Sequence, residues 1–280
     1  MGSFIVTVAG NNPEQQMLKY SSVNRVELPN PYFQLTDITD RLKASFPVDY
    51  LGSVSEYLRE ECEYTCINEL KEGQEPDFYE EHFYGYFTVD DSGNIAKVFE
   101  RKNPNAECDG FVLGGSYAGF YFIKPGCTGI ELGTPRRGTQ IRPNTADKIM
   151  KGSIDFERMM KEAGDYAATH YDAFFALVEK HNNDLGEEFE KDFWAGQQDK
   201  TFPMYASIYD YNQERSQFIR HHELSAISSY AFIINGEIHK KPHSIGPLNP
   251  AEEILWLESV WNKLFALPDD TVFALYQCHE

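Results

Sequence analysis

The chain predicts an α+β fold: a mixed or antiparallel central sheet with packed helices and an acidic helical appendage. Three observations carry this. Short apolar β-rich runs lie near both ends, Phe4-Ile5-Val6-Thr7-Val8 and Thr271-Val272-Phe273-Ala274-Leu275-Tyr276, and both suit a central sheet. Two pairs of β-rich runs are separated by turn chemistry, Asp90-Asp91-Ser92-Gly93-Asn94 and Asn235-Gly236, which folds each pair back as a hairpin. Between residues 155 and 199 the pattern changes to helical spacing, and no βαβ repeat surrounds it.

The first strand, 4–8, is ended by Gly10-Asn11-Asn12-Pro13. Ser53 followed by Glu56 is a capping-box pattern. Tyr57, Leu58, Glu61, Cys62, Thr65, Cys66 and Leu70 then follow at helical spacing up to Gly73, so a helix with one very acidic face is expected over 54–72. Residues 83–89 and 95–100 form the first hairpin. From 110 to 133 the chain is rich in glycine and aromatics, with a strand at 119–124 closed by Pro125-Gly126. Residues 133–144 are the one basic island, and their prolines and glycines predict an exposed loop, the natural hinge of the chain.

After that loop, Phe156, Met159, Met160, Ala163, Tyr166, Ala167, His170, Phe174, Leu177 and Val178 trace an apolar stripe over about six helical turns. A second acidic helix near 185–197 carries Phe189, Phe193 and Trp194, so the two are expected to pair as a helical hairpin. Residues 204–211 alternate as a strand does. Residues 230–234 and 238–240 flank Asn235-Gly236 as the second hairpin. Asn249-Pro250-Ala251-Glu252 combines an N-cap, proline at the first helical position and an acid, ahead of Ile254, Leu257, Val260, Trp261 and Leu264. The resulting organisation is residues 1–132 as the first part of the core, 133–150 as the basic loop, 151–200 as the acidic appendage and 201–280 as the return to the core.

Composition bounds the function. With 41% hydrophobic and 14% aromatic residues in 280, the chain is globular rather than disordered. It opens without a basic n-region and a long apolar h-region, and no apolar run approaches the roughly 18 residues that span a bilayer. A cytoplasmic protein with no membrane partner is expected. Cys62, Cys66, Cys108, Cys127 and Cys278 are an odd number without framework spacing, which reads as free thiols. The formal net charge is −19, and two stretches supply most of it. Residues 56–81 hold ten acids against two bases, and residues 155–199 hold twelve against four. Such concentrated negative fields point to a basic partner and away from DNA or anionic lipid.

Several residues invite chemistry. Cys278-His279 places a thiol beside an imidazole, but neighbours on a strand face opposite ways, and a buried cysteine with a terminal histidine explains them as well. Asp155, opening the long helix, is a third catalytic candidate. Gly114-Gly115, within a glycine-rich run, suggests a loop that brings amides to an anion. Its spacing matches neither the dinucleotide fingerprint nor the nucleotide-loop pattern, and a tight bend between strands accounts for it. His221, His222, His239 and His243 lack a completing ligand set, as do Cys62 and Cys66. No metal or cofactor is expected. Arg136, Arg137 and Arg142 suit an acidic group or a phosphate but are too few for a nucleic-acid track, which takes about six or more phosphate contacts.

Gly114-Gly115 before a strand and Lys124-Pro125-Gly126, Ile154-Asp155-Phe156 opening a helix, Tyr230-Ala231 leading to Gly236-Glu237, Trp261 and Phe265, Leu267-Pro268-Asp269-Asp270-Thr271 and a closing Cys278-His279 together resemble a family of functionally uncharacterised proteins of bacteriophage and bacterial genomes. The resemblance covers roughly residues 85–280. The family's glycine pair is usually followed by Arg-Trp, where this chain has Ser116-Tyr117, and its Cys-His by a preceding Asp, where this chain has Gln277. The resemblance implies a phage or mobile-element setting, hence a host cytoplasm, and supplies no reaction.

The reading that follows is a non-enzymatic acidic interaction protein that binds and inhibits a basic host protein, such as a nuclease or another nucleic-acid-binding defence factor. Its contact residues would be Glu60, Glu61 and Glu63 in the first stretch and Glu187, Glu188, Glu190, Asp192 and Trp194 in the second, with Arg136 and Arg137 from the basic loop. The alternative is a small-ligand or nucleotide-binding protein, or a Cys/His-dependent enzyme, centred on Gly114-Gly115. A third reading gives the acids solubility alone. Thiols and aromatic surface also permit a homo-oligomer.

Overall fold

Residues 2–23, 28–47, 49–69, 84–204, 206–227, 229–241 and 249–279 are described by a computed structural model. In chain order the elements are β1 (Ser3–Ala9), α1 (Pro13–Leu18), β2 (Gln34–Asp37), α2 (Thr39–Ser45), α3 (Val54–Glu60), β3 (Thr65–Cys66), β4 (Gly85–Val89) and β5 (Ile95–Lys102). There follow β6 (Gly110–Gly115), β7 (Tyr121–Phe122), β8 (Thr134–Pro135), β9 (Thr145–Ala146), β10 (Lys148–Met150), α4 (Phe156–Lys180) and α5 (Glu187–Gln198). The last are α6 (Arg215–Leu224), β11 (Ala231–Ile234), β12 (Glu237–Lys240), α7 (Pro250–Phe265) and β13 (Val272–His279). The fold is α+β with mixed sheets. Two compact units divide it: a smaller one of Met1–Ser3, Glu14–Phe111 and Cys278–Glu280, and a larger one of Phe4–Pro13 and Val112–Gln277. The basic segment 133–150 thus lies inside the larger unit, and the chain divides elsewhere.

In the smaller unit a four-stranded sheet runs β2-β5-β4-β3, antiparallel except for β3 beside β4. Ile38, Leu58, Tyr64, Cys66, Phe87 and Val98 form its core. The expected capping box is present: Glu56 N–H donates to Ser53 Oγ at 3.2 Å, and Ser53 N–H donates to Glu56 Oε2 at 2.6 Å. The helix it starts is shorter than expected. α3 stops at Glu60, because Glu63 adopts a left-handed φ of 55° and Tyr64 N–H closes back on the Leu58 carbonyl at 2.8 Å. Thr65 and Cys66 then extend alongside β4, so Cys62 and Cys66 do not share a helix face. The 70–81 part of the first acidic stretch lies outside the described residues.

The larger unit is built on a sheet of order β12-β11-β1-β13-β6-β8, with β10 also paired to β13. Its pairings are mixed: β1 and β11 are parallel, and so are β6 and β8, whereas β11–β12 and β10–β13 are antiparallel. Asn235 and Gly236 turn the β11–β12 hairpin with φ of 50° and 84°, the doubly positive geometry their side chains tolerate best. α7 is capped as its sequence requires, with Ala251 N–H donating to Asn249 Oδ1 at 3.0 Å. It packs Leu257, Val260, Trp261 and Leu264 into a core shared with Ile149, Phe232, Phe273 and Leu275. The indole N–H of Trp261 donates to the Leu224 carbonyl at 2.7 Å.

The acidic helices are not an appendage. α4 opens inside the sheet core, to which it contributes Phe156 and Met159. Farther along, its Ala167 and Phe174 join Phe189, Phe193, Phe202, Tyr211 and Phe218 in a second, almost wholly aromatic core. α6, which the sequence pattern did not signal, closes that core with Phe218. Residues 204–211, read as a strand, contain a 3-10 turn at Ile208–Tyr211, while residue 205 is outside the described set. Ser207 and Asp210 cap each other's backbone there, Ser207 N–H donating to Asp210 Oδ2 at 2.7 Å and Tyr209 N–H to Ser207 Oγ at 3.2 Å. That local capping delivers Tyr211 into the aromatic core. Of the expected strand 119–124, Tyr121–Phe122 pairs with β9 and Ile123 forms an isolated bridge to Ile154.

Candidate functional site

Gly114 and Gly115 end β6 with φ of 70° and 58°, a left-handed pair that suits glycine. Neither has room for a side chain. A Cβ on Gly114 would stand 2.6 Å from Asp147 Oδ2, and one on Gly115 would stand 2.2 Å from Gln277 Oε1. Asp147 is fully buried. Its carboxylate accepts the amides of Gly119 at 2.8 Å, Phe120 at 3.0 Å and Gly133 at 2.9 Å. Gln277 Oε1 accepts the Ser116 amide at 2.7 Å. The amides of Ser116, Gly119, Phe120 and Gly133 are thus already held by side chains of the protein. The bend is a structural turn whose following amides bind the protein's own Asp147 and Gln277.

The residues just beyond the bend line a cavity of about 750 Å³. Its walls include Tyr117, Phe120, Arg142, Glu162, Tyr166 and His222. Its charged residues are paired in place, Asp165 of the same lining with Lys161. Glu162 accepts from Arg158 Nε at 2.9 Å and lies 3.1 Å from a terminal nitrogen of Arg142. Both guanidiniums also cover Phe122, at 4.5 Å for Arg158 and 5.4 Å for Arg142. His222 Nδ1 sits 2.9 Å from the Phe218 carbonyl, which assigns it the N–H and leaves Nε2 an acceptor. Burial lowers the His222 pKa, so the ring is neutral at pH 7.

The catalytic candidates do not line this cavity. Asp155 is the N-cap of α4, its carboxylate accepting the Arg158 amide at 3.1 Å. Cys278 is buried, while His279 on the opposite side of the strand is exposed. A hydrogen bond with the Cys108 thiol and burial both push the Cys278 thiol far up, the reverse of what a thiolate nucleophile needs. Among the described residues no group of three or more His, Cys, Asp and Glu is placed to hold a metal ion. His221 stands 3.4 Å from Glu253, and His239 stands 3.2 Å from Lys263. His243 lies outside the described residues. Burial raises the pKa of Cys62, and Cys66 is buried in the smaller core.

The acids separate into spent and available. Asp192 binds Lys180 at 2.7 Å and His181 at 3.0 Å. Asp165 pairs with Lys161, and Asp172 holds Arg215 in a two-pronged bond of 2.7 and 2.8 Å. Glu60, Glu61 and Glu63 are exposed at the end of α3, and Tyr50 OH reaches Glu60 at 3.4 Å. Glu187, Glu188 and Glu190 are exposed in the first turn of α5 and make no ion pair among the described residues. There they face the positive end of the helix dipole. Phe189 and Phe193 are buried as their spacing requires, but Trp194 is 53% exposed on the same helix. Arg136 and Arg137 are exposed at a turn that Gly138 makes with φ of 92°. The Arg136 amide donates to the Gly115 carbonyl at 3.1 Å.

Among the described residues, no helix is long and apolar enough to cross a membrane. No protein-family model matches the chain, and neither a curated protein nor a solved structure does. Asp147 and the Arg142–Glu162–Arg158 cluster over Phe122 were not legible in the sequence. Each joins residues scattered over separate elements, with no local spacing to mark it.

Proposed function

We propose that the protein is a non-enzymatic docking module that engages a basic protein through the acidic face of α5. The observation that carries this reading is the set Glu187, Glu188 and Glu190, exposed and without ion pairs among the described residues, on the helix that also presents Trp194 to solvent. Carboxylates of this kind steer a cationic partner, and a half-exposed tryptophan is the residue type that most often anchors an interface. The helix is held by two fully buried phenylalanines, so the face is rigid and little ordering entropy opposes docking. Taken with the resemblance to phage proteins, the partner class is a host nuclease or other nucleic-acid-binding defence factor, inhibited by covering its cationic surface.

The test is capture from bacterial lysate at rising salt. The expected result is a basic protein whose retention falls with ionic strength. Retention should drop at least about tenfold, the equivalent of 1.4 kcal/mol, in the triple Glu187→Lys, Glu188→Lys, Glu190→Lys variant and again in Trp194→Ala. Cys278→Ala and His279→Ala should leave it unchanged. Equal retention after charge reversal, or no retained protein, sinks the reading.

The cavity beside the Gly114-Gly115 bend favours a second reading, a binding site for a small uncharged ligand. Its volume lies in the range of small-molecule sites, and its charged lining residues are paired, Arg142 with Glu162 and Asp165 with Lys161. Isothermal titration with an uncharged aromatic probe such as adenosine checks it: heat that Tyr117→Ala abolishes supports the reading, and no heat at millimolar probe removes it.

A further inference from the structure

The two buried thiols Cys108 and Cys278 belong to no function described above. Asp109 N–H donates to the His279 carbonyl at 2.8 Å, which sets these two chain segments side by side. Side chains alternate along extended backbone. Asp109 and His279 are both exposed, and the residue before each, Cys108 and Cys278, is buried at 5% and 0% exposure. Both cysteines therefore fall on the inner side of the same pair of segments, away from solvent. The Cys108 thiol also reaches the Tyr20 carbonyl at 3.7 Å. Of the remaining three cysteines, Cys127 is exposed, Cys62 is half-buried and Cys66 is buried in the core of the smaller unit.

We propose that Cys108 and Cys278 are a latent disulfide site, closed when the protein meets a low-molecular-weight disulfide such as oxidised glutathione. The thiolate of one cysteine attacks a sulfur of the oxidant, and one molecule of glutathione thiol leaves. The second cysteine then attacks the protein sulfur of the mixed disulfide and releases the other glutathione. Two protein thiols are oxidised to one disulfide, one small disulfide is reduced to two thiols, and the protons pass to the departing thiols. Burial makes the reaction slow in the closed fold, so its rate follows opening of the end of β13.

The position gives the bond its consequence. The chain passes from the smaller to the larger unit at Phe111/Val112 and returns at Gln277/Cys278. A bond between Cys108 and Cys278 ties off the whole of Val112–Gln277 as one covalent loop, and long loops are where the chain-entropy account gives the largest stabilisation.

The experiment treats the full chain with oxidised glutathione in native buffer and in sub-denaturing urea, followed by non-reducing peptide mapping and thermal unfolding. The expected product lacks two hydrogens, contains a Cys108–Cys278 cross-linked peptide, forms faster in urea, and melts about 5–10 °C higher until reductant is added. Glutathione adducts without the cross-link, or cross-links to Cys62, Cys66 or Cys127 instead, overturn the proposal. Cys108→Ala should leave Cys278 with a single adduct. If that variant does not fold, the wild-type peptide map decides alone.

Discussion

The sheet core and the helical core of the larger unit share helices α4 and α6 and differ in how they are built. The first mixes aliphatic and aromatic side chains: Ile149, Leu275, Phe232 and Phe273 sit on strands whose backbone ladder sets their spacing independently of any one side chain, and Ile154 and Leu257 pack against them. The second is assembled from rings. Phe174 stacks on Tyr211 at 4.1 Å with 2° between planes, Phe218 lies 5.1 Å from Tyr211, and Phe193 lies 4.8 Å from Phe202. No strand ladder joins α4, α5 and α6, so ring packing carries the load. The acid-bearing helix α5 therefore depends on few side chains, while the Gly114-Gly115 bend rests on the more redundant of the two cores.

The largest expected effect comes from removing a ring. Phe174→Ala should cost about 3–5 kcal/mol, and amide exchange should rise first in α5 and α6 while β11 and β13 stay protected. Equal loss in both regions would make the two cores one cooperative unit and end the comparison. Asp147→Ala attacks the other side: it leaves three amides without their acceptor, at about 1–3 kcal/mol each. Urea denaturation should show a loss of about 3 kcal/mol or more, with exchange rising first around residues 114–120. Gly115→Ala is smaller, about 1–3 kcal/mol, because a methyl group meets Gln277 Oε1 and the backbone is left-handed. A variant as stable as wild type would mean that the bend relaxes freely.

The smallest effect is in pH, and it separates the cores by window. His222, 4.4 Å from Phe218 in the helical region, is kept neutral by burial below its ordinary 6.5. The unfolded chain then binds the proton first, so stability is full above about pH 6.5 and declines as pH falls below it. Glu253, near the start of α7, is held down to about 2 by His221 and Lys241. Its contribution is present above 4.5, the ordinary value, and is lost as pH falls from there toward about 2. Thermal melts across pH 7 to 2 should show two declines. His222→Gln should remove the upper one, and Glu253→Gln should shrink the lower one, which Glu253 shares with other paired carboxylates such as Asp172 and Asp192.

What could be read in advance follows the range of each signal. The Asn235-Gly236 hairpin, the Asn249-Pro250 helix start and the Ser53–Glu56 capping box are written within a few residues, and all three are present. The stripe from Phe156 to Val178 identified α4 but not its partners, because periodicity reports a buried face without naming what covers it. α6 escaped notice since Arg215-Ser-Gln-Phe-Ile-Arg-His-His-Glu-Leu carries few apolar positions, and its Phe218 matters only opposite Tyr211 and Tyr171. Cys62, Thr65 and Cys66 kept a helical period by accident of spacing, which the left-handed Glu63 overrides. At the candidate sites, residue types were legible and availability was not. Nothing in the sequence told that Asp192 is engaged by Lys180 while Glu187, Glu188 and Glu190 remain open, or that Trp194 faces outward beside a buried Phe193.

The order of the large sheet has a consequence for synthesis on the ribosome. Strand β1 is made first, yet its neighbours are β11 and β13, which begin at Ala231 and Val272. At about 5–20 residues per second, β1 waits on the order of ten to fifty seconds with both edges unsatisfied. During that wait Phe4, Ile5, Val6 and Val8 form an apolar strand open to any other nascent chain. Yield on overexpression should therefore be governed by how well a chaperone shields Ser3–Ala9.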